Sequence, residues 1–433
     1  MSLPCFKRPV HKALKAVTGG REGKLNVRRF GLFSKKHYFC TICRLCMMKI
    51  AILTSGILPV PAVQGGAVEN LVDFYLAYNE QHRLHGITVY SVWHPDVRKH
   101  PALQSEVNHY RYIHVTGAWA KLRKLQFALK HGKETYYHRS IAFFLHEAMK
   151  DIRRQQYDIL ILENRPAYAL NLKAVTDARL VYHLHNDNLS NRVPQYQEIY
   201  DRADRILTVS NYIKGRVLTI HAQDTKTRVV HNGIDLQAFA GQANQHEGFV
   251  LVFSGRVTQE KGILPLIEAM RLLQDRKDIR LLVVGSSFYG NTDNRNAFAQ
   301  TLKEKAEPLK DRITFTGFIP YDQMPDYLHK ADVAVIPSVW DDPFPTTVLE
   351  AMAAGMPVIS TRHGGIPEEV TEATAILLDT NDHFAENLAK TILDLYEHPE
   401  KRRQMSKAAL QRSRLFDKDT YARNFFQAIE NIT

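Results

Sequence analysis

Short apolar runs that end in small or polar residues alternate with amphipathic segments along most of the 433-residue chain. The first set consists of KIAILTSG (49–56), ITVYSV (87–92), YDILILE (157–163), ARLVYHLH (178–185) and RILTVS (205–210). Runs of this length are typical of parallel strands buried on both faces, and the helices between them predict right-handed crossovers. The pattern therefore predicts a doubly wound α/β domain that binds ligands at the carboxyl ends of its strands.

The pattern restarts after the polar segment GQANQHEG at residues 241–248. The second set consists of FVLVFSGR (249–256), IRLLVVGS (279–286), ITFTGF (313–318), ADVAVIPS (331–338) and MPVIST (356–361). We therefore predict two Rossmann-like domains, at 48–240 and 241–415, that face a central cleft. Residues 416–433 are predicted to form a C-terminal helix that can pack back on the first domain. Neither first strand is followed by GxGxxG, which disfavours a nicotinamide dinucleotide.

The N-terminal segment 1–47 differs from the rest of the chain. It carries eleven Lys and Arg against one acid, and it holds all four cysteines. We expect a disordered basic extension, or an upstream translated segment before a natural start near Met48. One alternative is a metal module built on Cys40, Cys43 and Cys46, which is disfavoured because three thiolates lack a fourth partner. The other alternative is a nucleic-acid-binding arm.

Composition also bears on the compartment. The chain has no cysteine beyond this segment, which fits a reducing environment. No apolar run approaches the ~18 residues of a membrane-spanning helix, and no secretory signal is evident. We therefore expect a cytoplasmic protein. Residues 119–150 combine Lys and Arg with aromatic residues, so they either rest on an anionic membrane or form an amphipathic helix pair with solvated lysines.

The segment DDPFPTTVLEAMAAG places Asp342 and Glu350 on either side of a predicted helix start. Pro345 is tolerated just inside the first turn, where Thr346, Thr347 and the free backbone N–H groups favour a phosphate. Glu350 lies about one turn further on, where it can accept hydrogen bonds from the vicinal hydroxyls of a ribose. Asp342 can reach hydroxyls on the other side of the phosphate. The alternative interpretation is a turn acid followed by an acid that only complements the helix dipole.

Two cations, two glycines and a histidine lie at other predicted strand ends. GRVTQEKG places Arg256 and Lys261 where they can neutralise a diphosphate, or where they form a solvated surface pair. Gly65 and Gly66 either allow close approach of a ligand to the backbone or form an ordinary turn. His185 can hydrogen-bond a sugar hydroxyl or a transferring proton, although a histidine on a strand is often structural.

These motifs, together with VSNYIK, VVHNGID, TGFI and PSVWDDPFPTTVLEAMAAGMPVIST, resemble those of the family 4 retaining glycosyltransferases of the GT-B fold. The resemblance covers most of residues 48–433 and is weaker between about 90 and 150. It implies a nucleotide-sugar donor, most commonly a UDP-sugar, and transfer without a metal or a resident cofactor. It also implies a glycan or lipid-linked glycan acceptor, in the synthesis of cell-surface polysaccharide or lipopolysaccharide.

The resemblance implies a role for each matching residue. Arg256 and Lys261 would hold the diphosphate, and Glu350 the ribose. Asp342 stands where the family normally has Glu and would contact the donor sugar, with Asp341 beside it as a second candidate. The backbone near Phe318 and Ile319 would contact the base. Gly66 would approach the phosphates, and His185 would contact the transferred sugar.

The family mechanism implies that the departing phosphate accepts the acceptor's proton, so no protein nucleophile is required. The residues expected to act on the reacting groups are His185, Arg256, Lys261 and Asp342. In the edge loop ENRPAY (163–168), Glu163, Asn164 and Arg165 are predicted to meet the acceptor. Two alternatives use the same fold, namely a nucleotide-sugar epimerase and a non-catalytic nucleotide-sugar-binding subunit. No nucleic-acid partner is expected.

Overall fold

The structure is a computed structural model, and the residues that it describes are 47–131, 136–241, 247–286 and 297–432. Three sequence predictions concern residues outside these ranges. They are the basic extension with its cysteines, Lys133 in the basic aromatic segment, and most of the polar segment between the two domains.

Seven parallel strands form the sheet of the first domain. They are β1 (Lys49–Leu53), β2 (Gly86–Val92), β3 (Asn108–Ile113), β4 (Ile159–Glu163), β5 (Arg179–Leu184), β6 (Arg205–Thr208) and β7 (Thr227–Val229). Their order is β3-β2-β1-β4-β5-β6-β7. The helices between them are α1 (Ala67–His82), α2 (Ala118–His131), α3 (Arg139–Ile152), α4 (Ala169–Leu172), α5 (Tyr196–Asp201), α6 (Asn211–Leu218) and α7 (Leu236–Phe239). Central strands such as β4 are buried along their whole length, as their apolar runs predict.

Six parallel strands form the sheet of the second domain. They are β8 (Phe249–Ser254), β9 (Ile279–Val284), β10 (Ile313–Gly317), β11 (Val333–Ile336), β12 (Val358–Thr361) and β13 (Ala375–Leu378), in the order β10-β9-β8-β11-β12-β13. The helices are α8 (Ile263–Leu272), α9 (Ala297–Ala306), α10 (Met324–Leu328), α11 (Thr346–Ala353), α12 (Ile366–Glu369), α13 (Phe384–Glu397) and α14 (Pro399–Ser413). Both sheets confirm the predicted pair of doubly wound parallel domains.

In each sheet the strand order reverses beside the first strand, between β1 and β4 and between β8 and β11. Open α/β sheets bind ligands outside the carboxyl ends of the strands at such a switch point. The loops that follow β1 and β8 are therefore the expected positions for ligand-binding residues, and the glycine pair and the two cations singled out from the sequence lie on them.

The last helix, α15 (Lys418–Glu430), lies against the first domain although it follows the second in sequence. The rings of Phe425 and Tyr75 stack with their centroids 4.1 Å apart. Ile429 shares one buried apolar cluster with Val72 of α1. The Asn431 carbonyl accepts a hydrogen bond of 2.6 Å from Arg205. The chain end thus links the second domain back to the core of the first.

Three strands, β3, β7 and β13, were not predicted from the sequence. β3 (NHYRYI) is an edge strand whose residues are mostly half-exposed, so it lacks the continuous apolar run of a buried strand. β7 (TRV) has only three residues and lies at one edge of the first sheet. β13 (AILL) has only four residues and lies at the opposite edge of the second sheet. Among the residues that the structure describes, no helix combines the length and apolarity needed to cross a bilayer.

Candidate active site

The carboxyl ends of the two sheets face a shared cavity of about 330 Å³. It is lined by residues of both domains, so it is the central cleft that the sequence predicts. All eleven predicted site residues line it, namely Gly65, Gly66, His185, Arg256, Lys261, Phe318, Ile319, Asp342, Thr346, Thr347 and Glu350.

Helix α11 begins at this cavity. Pro345, with φ −68° and ψ 120°, immediately precedes the helix rather than lying within its first turn as predicted, and the helix begins at Thr346. The Val348 N–H donates a hydrogen bond of 3.1 Å to the Pro345 carbonyl, whereas the N–H groups of Thr346 and Thr347 come too early in the helix to have a helical partner. These two groups and the helix dipole favour an anion at the helix start. Glu350 is only 4% exposed, and burial raises the pKa of its carboxyl to about 7, partly offset by a hydrogen bond with the Thr346 side chain. A buried carboxyl thus lies one turn behind the predicted phosphate position.

Lys261 and Asp342, which both line the cavity, form an ion pair between the Lys261 ammonium and Oδ2 of Asp342. The Asp342 side chain is 6% exposed and that of Lys261 is 17% exposed. The ammonium also lies 5.5 Å from the ring centroid of Trp340. Gly262 lets the loop that carries Lys261 approach this wall, because a Cβ there would lie 1.8 Å from the Pro337 carbonyl oxygen. The two predicted donor-binding groups are therefore paired with each other.

Arg256 follows β8 on the same side of the cavity. Its side chain is 42% exposed, and its guanidinium lies 3.7 Å from the Glu260 carboxylate. The guanidinium is therefore only loosely paired, and it remains accessible to an anion bound at the start of α11.

Of the two neighbouring acids, Asp342 is among the residues that line the cavity and Asp341 is not. Asp341 accepts a hydrogen bond of 3.1 Å from the Tyr212 hydroxyl and lies 3.2 Å from Nδ1 of His363. Glu368 makes a similar contact between the two domains. It accepts hydrogen bonds from the backbone N–H groups of Asn211 and Tyr212 at 2.7 and 2.8 Å. Both acids thus connect the second domain to the start of α6 in the first. This arrangement favours Asp342 over Asp341 as the residue that faces a donor sugar.

The glycine loop that precedes α1 has a structural requirement that the sequence did not reveal. Gly66 has φ 108°, and a Cβ on it would lie 2.2 Å from Oε2 of Glu69. A Cβ on Gly65 would meet nothing closer than the Phe318 ring at 3.9 Å. Burial raises the pKa of Glu69, which also lines the cavity, to about 7. Gly66 therefore makes room for the buried carboxyl of Glu69, which was not predicted from the sequence. The sequence signal for it was an acid in the first helical turn after a glycine pair.

The prediction that Glu163 meets the acceptor is wrong, because this residue is completely buried. Its carboxylate lies 2.9 Å from Nε2 of His185, 3.1 Å from Nδ1 of His183 and 2.9 Å from the Tyr75 hydroxyl. Asn164 is also engaged internally, since its Oδ1 accepts hydrogen bonds from the His185 backbone N–H and from Asn188. The run ENRPAY looked like an exposed edge loop because the sequence gives no sign of this buried network.

Among the described residues, one group of three potential metal ligands lies within 4.8 Å, and it consists of Glu163, His183 and His185. The residue types suit a divalent transition metal. The same nitrogen and oxygen atoms, however, already lie within hydrogen-bonding distance of one another. Burial and the neighbouring His183 lower the pKa of His185 to about 4, so its imidazole is neutral near pH 7.

Comparison with known proteins identifies the family. The family described as Glycosyltransferase Family 4 matches residues 77–238, and Glycosyl transferases group 1 matches residues 237–412. YtcC of Bacillus subtilis (strain 168) is 30% identical over 385 residues, which is 84% of this chain and 86% of YtcC. The chain belongs to glycosyltransferase family 4. A more distant relative of this glycosyltransferase is the lipopolysaccharide 1,2-N-acetylglucosaminetransferase of Salmonella typhimurium, which is 24% identical over 55% of this chain and 62% of that protein.

Solved structures confirm the GT-B fold of this glycosyltransferase. Anabaena Alr3699/HepE in complex with UDP and glucose matches with a TM-score of 0.67 at 20% identity, covering 89% of this chain and all of that one. WaaG, described as a glycosyltransferase involved in lipopolysaccharide biosynthesis, matches with a TM-score of 0.63 at 15% identity, covering 88% of this chain and all of that one. At this level of identity the likeness concerns the fold.

Proposed function

We propose that the protein transfers a sugar from a nucleotide-sugar donor, with UDP as the nucleotide, to a hydroxyl of a glycan or lipid-linked glycan. The observation that carries the proposal is the convergence of a helix start, two cationic side chains and two buried acids on one interdomain cavity. The known complex of a protein of the same fold with UDP and glucose supports this choice of donor.

The chemistry of the cavity suggests how a donor would lie in it. Its diphosphate would occupy the start of α11 between Arg256 and Lys261, where charge-assisted hydrogen bonds and the helix dipole favour an anion. Glu350, behind that position, would accept hydrogen bonds from the ribose. Asp342 and His185 would face the sugar, and the loop at Phe318 would meet the base.

The proposed transfer proceeds with retention and without a metal. The anomeric C–O bond to phosphate breaks, and the negative charge that develops on the phosphate is stabilised by Arg256, Lys261 and the start of α11. The acceptor oxygen bonds to the anomeric carbon from the same face, and its proton passes to the departing phosphate oxygen. The cations take the place that a divalent metal has in other diphosphate sites, so the proposal includes no metal or resident cofactor.

The test uses NMR to identify the product formed from UDP-glucose, UDP-galactose or UDP-N-acetylglucosamine. Each donor is measured with and without an alkyl glycoside as surrogate acceptor. Retention predicts that the first sugar released or transferred has the donor's anomeric configuration. The opposite anomer would refute retention, and a sugar nucleotide epimer would indicate an epimerase. Donor binding without any turnover would indicate a non-catalytic subunit. Arg256→Ala should abolish turnover, whereas Arg271→Ala, on an exposed side chain of α8, should not.

We also propose that α2 rests on an anionic membrane surface. The sequence of this helix, AWAKLRKLQFALKH, contains four Lys or Arg and no acid. Its side chains Trp119, Leu122, Leu125 and Leu129 are 80%, 47%, 57% and 79% exposed, and their spacing places them on one side of the helix. An exposed apolar face beside cations is typical of a helix that lies in the lipid interface.

Some aromatic residues of segment 119–150 are exposed, such as Trp119, whereas others are buried. Phe143 and Phe144 on α3 are buried in the core, so they are not part of the surface that the sequence suggested. Arg123 is also partly neutralised, because it forms an ion pair with Glu147. The proposed membrane contact therefore depends on α2 alone.

Co-sedimentation with phosphatidylglycerol vesicles tests the membrane proposal, with phosphatidylcholine vesicles as the control for charge. We expect the wild type to bind to the anionic vesicles only. The affinity of Leu125→Glu for these vesicles should be at least tenfold lower. Leu415→Glu, at a side chain that is 60% exposed outside α2, should bind as the wild type does. Equal binding by all three proteins would contradict the proposal.

A further inference from the structure

Three hydrogen-bonding side chains converge on the carboxylate of Glu163 in the first domain. The Tyr75 hydroxyl lies 2.9 Å from Oε1, Nε2 of His185 lies 2.9 Å from Oε2, and Nδ1 of His183 lies 3.1 Å from Oε2. All four side chains are buried, and only His185 reaches the cavity. Glu163 thus holds the imidazole of His185 through Nε2, in the one residue of this group that lines the cavity.

The hydrogen-bond roles follow from the chemistry of the groups. An ionised carboxylate only accepts, so the tyrosine hydroxyl and both facing ring nitrogens must donate to Glu163. His185 therefore carries its proton on Nε2. In the neutral imidazole the other ring nitrogen, Nδ1, then bears a lone pair and can only accept a hydrogen bond. Nδ1 of His185 is buried and has no protein partner among the described residues.

We propose that Glu163 is a positioning residue, which fixes the proton of His185 on Nε2 so that Nδ1 accepts a hydrogen bond from a hydroxyl of the bound sugar. This inference rests on the proposed function for the identity of the ligand, but not for the state of the ring. The sugar position opposite Nδ1 must then carry a proton donor. A carboxylate, an ether or a fluorine at that position has no proton to give.

The state of the ring is tested first in the wild-type protein without any ligand. Proton–nitrogen correlation spectra of the full chain labelled with ¹⁵N-histidine report which ring nitrogen carries the proton, and the His185→Gln spectrum assigns the signal. We expect a neutral ring with its proton on Nε2 at pH 7. A proton on Nδ1, or on both nitrogens, would overturn the proposal.

Two matched substitutions test whether Glu163 sets this state. Glu163→Gln offers one acceptor oxygen to three donors and adds an N–H₂ group, so at least one of the three donors must rearrange. We expect the His185 signal to shift toward the Nδ1–H form in this variant. Tyr75→Phe removes one donor but leaves the carboxylate, and its ring can still stack on Phe425. We expect the His185 proton to stay on Nε2 there, and an unchanged ring in Glu163→Gln would contradict the proposed role.

The contact with the sugar is tested separately by calorimetry with UDP-glucose and its deoxyfluoro analogues. The amide of an asparagine reaches the position of Nδ1, whereas that of a glutamine reaches the position of Nε2. His185→Asn should therefore retain more UDP-glucose affinity than His185→Gln, by about fivefold, the size of one hydrogen bond. One fluoro analogue should bind the wild type about tenfold more weakly than UDP-glucose. If UDP-glucose does not bind at all while the ring has its proton on Nε2, the donor assignment fails and the positioning role stands. If UDP-glucose binds but glutamine serves as well as asparagine, the contact through Nδ1 is wrong.

Discussion

The buried carboxyl of Glu350 should make the stability of the protein depend on pH in a direction that the structure fixes. Burial raises the pKa of this group from the ordinary 4.5 to about 7 in the folded protein. Between these two values the folded protein retains a proton that the unfolded chain has released. The free energy of unfolding therefore falls as the pH rises through this interval, because a charged carboxylate is less favourable in the folded protein.

The magnitude follows from the same two values. A difference of one pKa unit corresponds to about 1.36 kcal/mol, so ionised Glu350 should cost the folded protein about 3 kcal/mol above pH 7. Glutamine has a similar shape and no charge at any pH. We therefore expect Glu350→Gln to match the wild type near pH 4.5 and to exceed its stability by about 3 kcal/mol at pH 8.

Urea denaturation of both proteins between pH 4.5 and pH 8, without ligand, measures this difference. Glu386→Gln, at an exposed position on α13, controls for the removal of one carboxylate and should show no such divergence. A constant difference between the wild type and Glu350→Gln across the pH range would refute the reasoning. A wild type that gains on the variant as the pH rises would refute it more strongly, because the carboxylate would then be stabilised in the folded protein.

Two further substitutions test the wall of the cavity. Asp342→Asn removes the negative charge that pairs with Lys261, so we expect a loss of about 2 kcal/mol in unfolding free energy. UDP should bind at least fivefold more tightly by calorimetry, because the ammonium no longer has to leave a carboxylate. Weaker UDP binding would contradict the coupling of the two groups. Gly66→Ala should lower the unfolding free energy by about 2 kcal/mol or more, because its Cβ would overlap the Glu69 carboxylate at a positive φ. Gly65→Ala should lower it by about 1 kcal/mol, from backbone strain alone. Equal losses for the two variants in thermal unfolding would argue against this packing.

Much of the fold follows from local sequence pattern. The interior strands β1, β4, β5, β8 and β11 are continuous apolar runs, since both faces of each are covered, and the sequence located them all. The edge strands β3, β7 and β13 do not carry this signal, whereas the sequence located the edge strand β10 within ITFTGF. β3 is half-exposed and alternates polar with aromatic residues, and β13 is short, so pairing with a neighbour defines them more than composition does.

The candidate site shows the same division. Arg256, Lys261 and Glu350 could be located because each lies at a fixed distance from a strand end or helix start, where the chain direction determines what the residue faces. The role of Glu163 could not be predicted, because it depends on Tyr75, which lies far away in the sequence and meets it only through packing. Glu69 was missed for a similar reason, since its burial depends on how closely the glycine loop passes over it.

Calorimetric titration with UDP-, GDP- and ADP-sugars is the most direct test of the nucleotide-sugar site. One nucleotide series should bind to the wild type, and Arg256→Ala and Glu350→Ala should each lose at least about 1 kcal/mol of binding free energy, as expected for a charge-assisted hydrogen bond. Arg271→Ala, remote from the cavity, should bind like the wild type. If no sugar nucleotide binds, or if both cavity variants bind as tightly as the parent, the cavity is not the donor site and the likeness to nucleotide-sugar enzymes is one of fold.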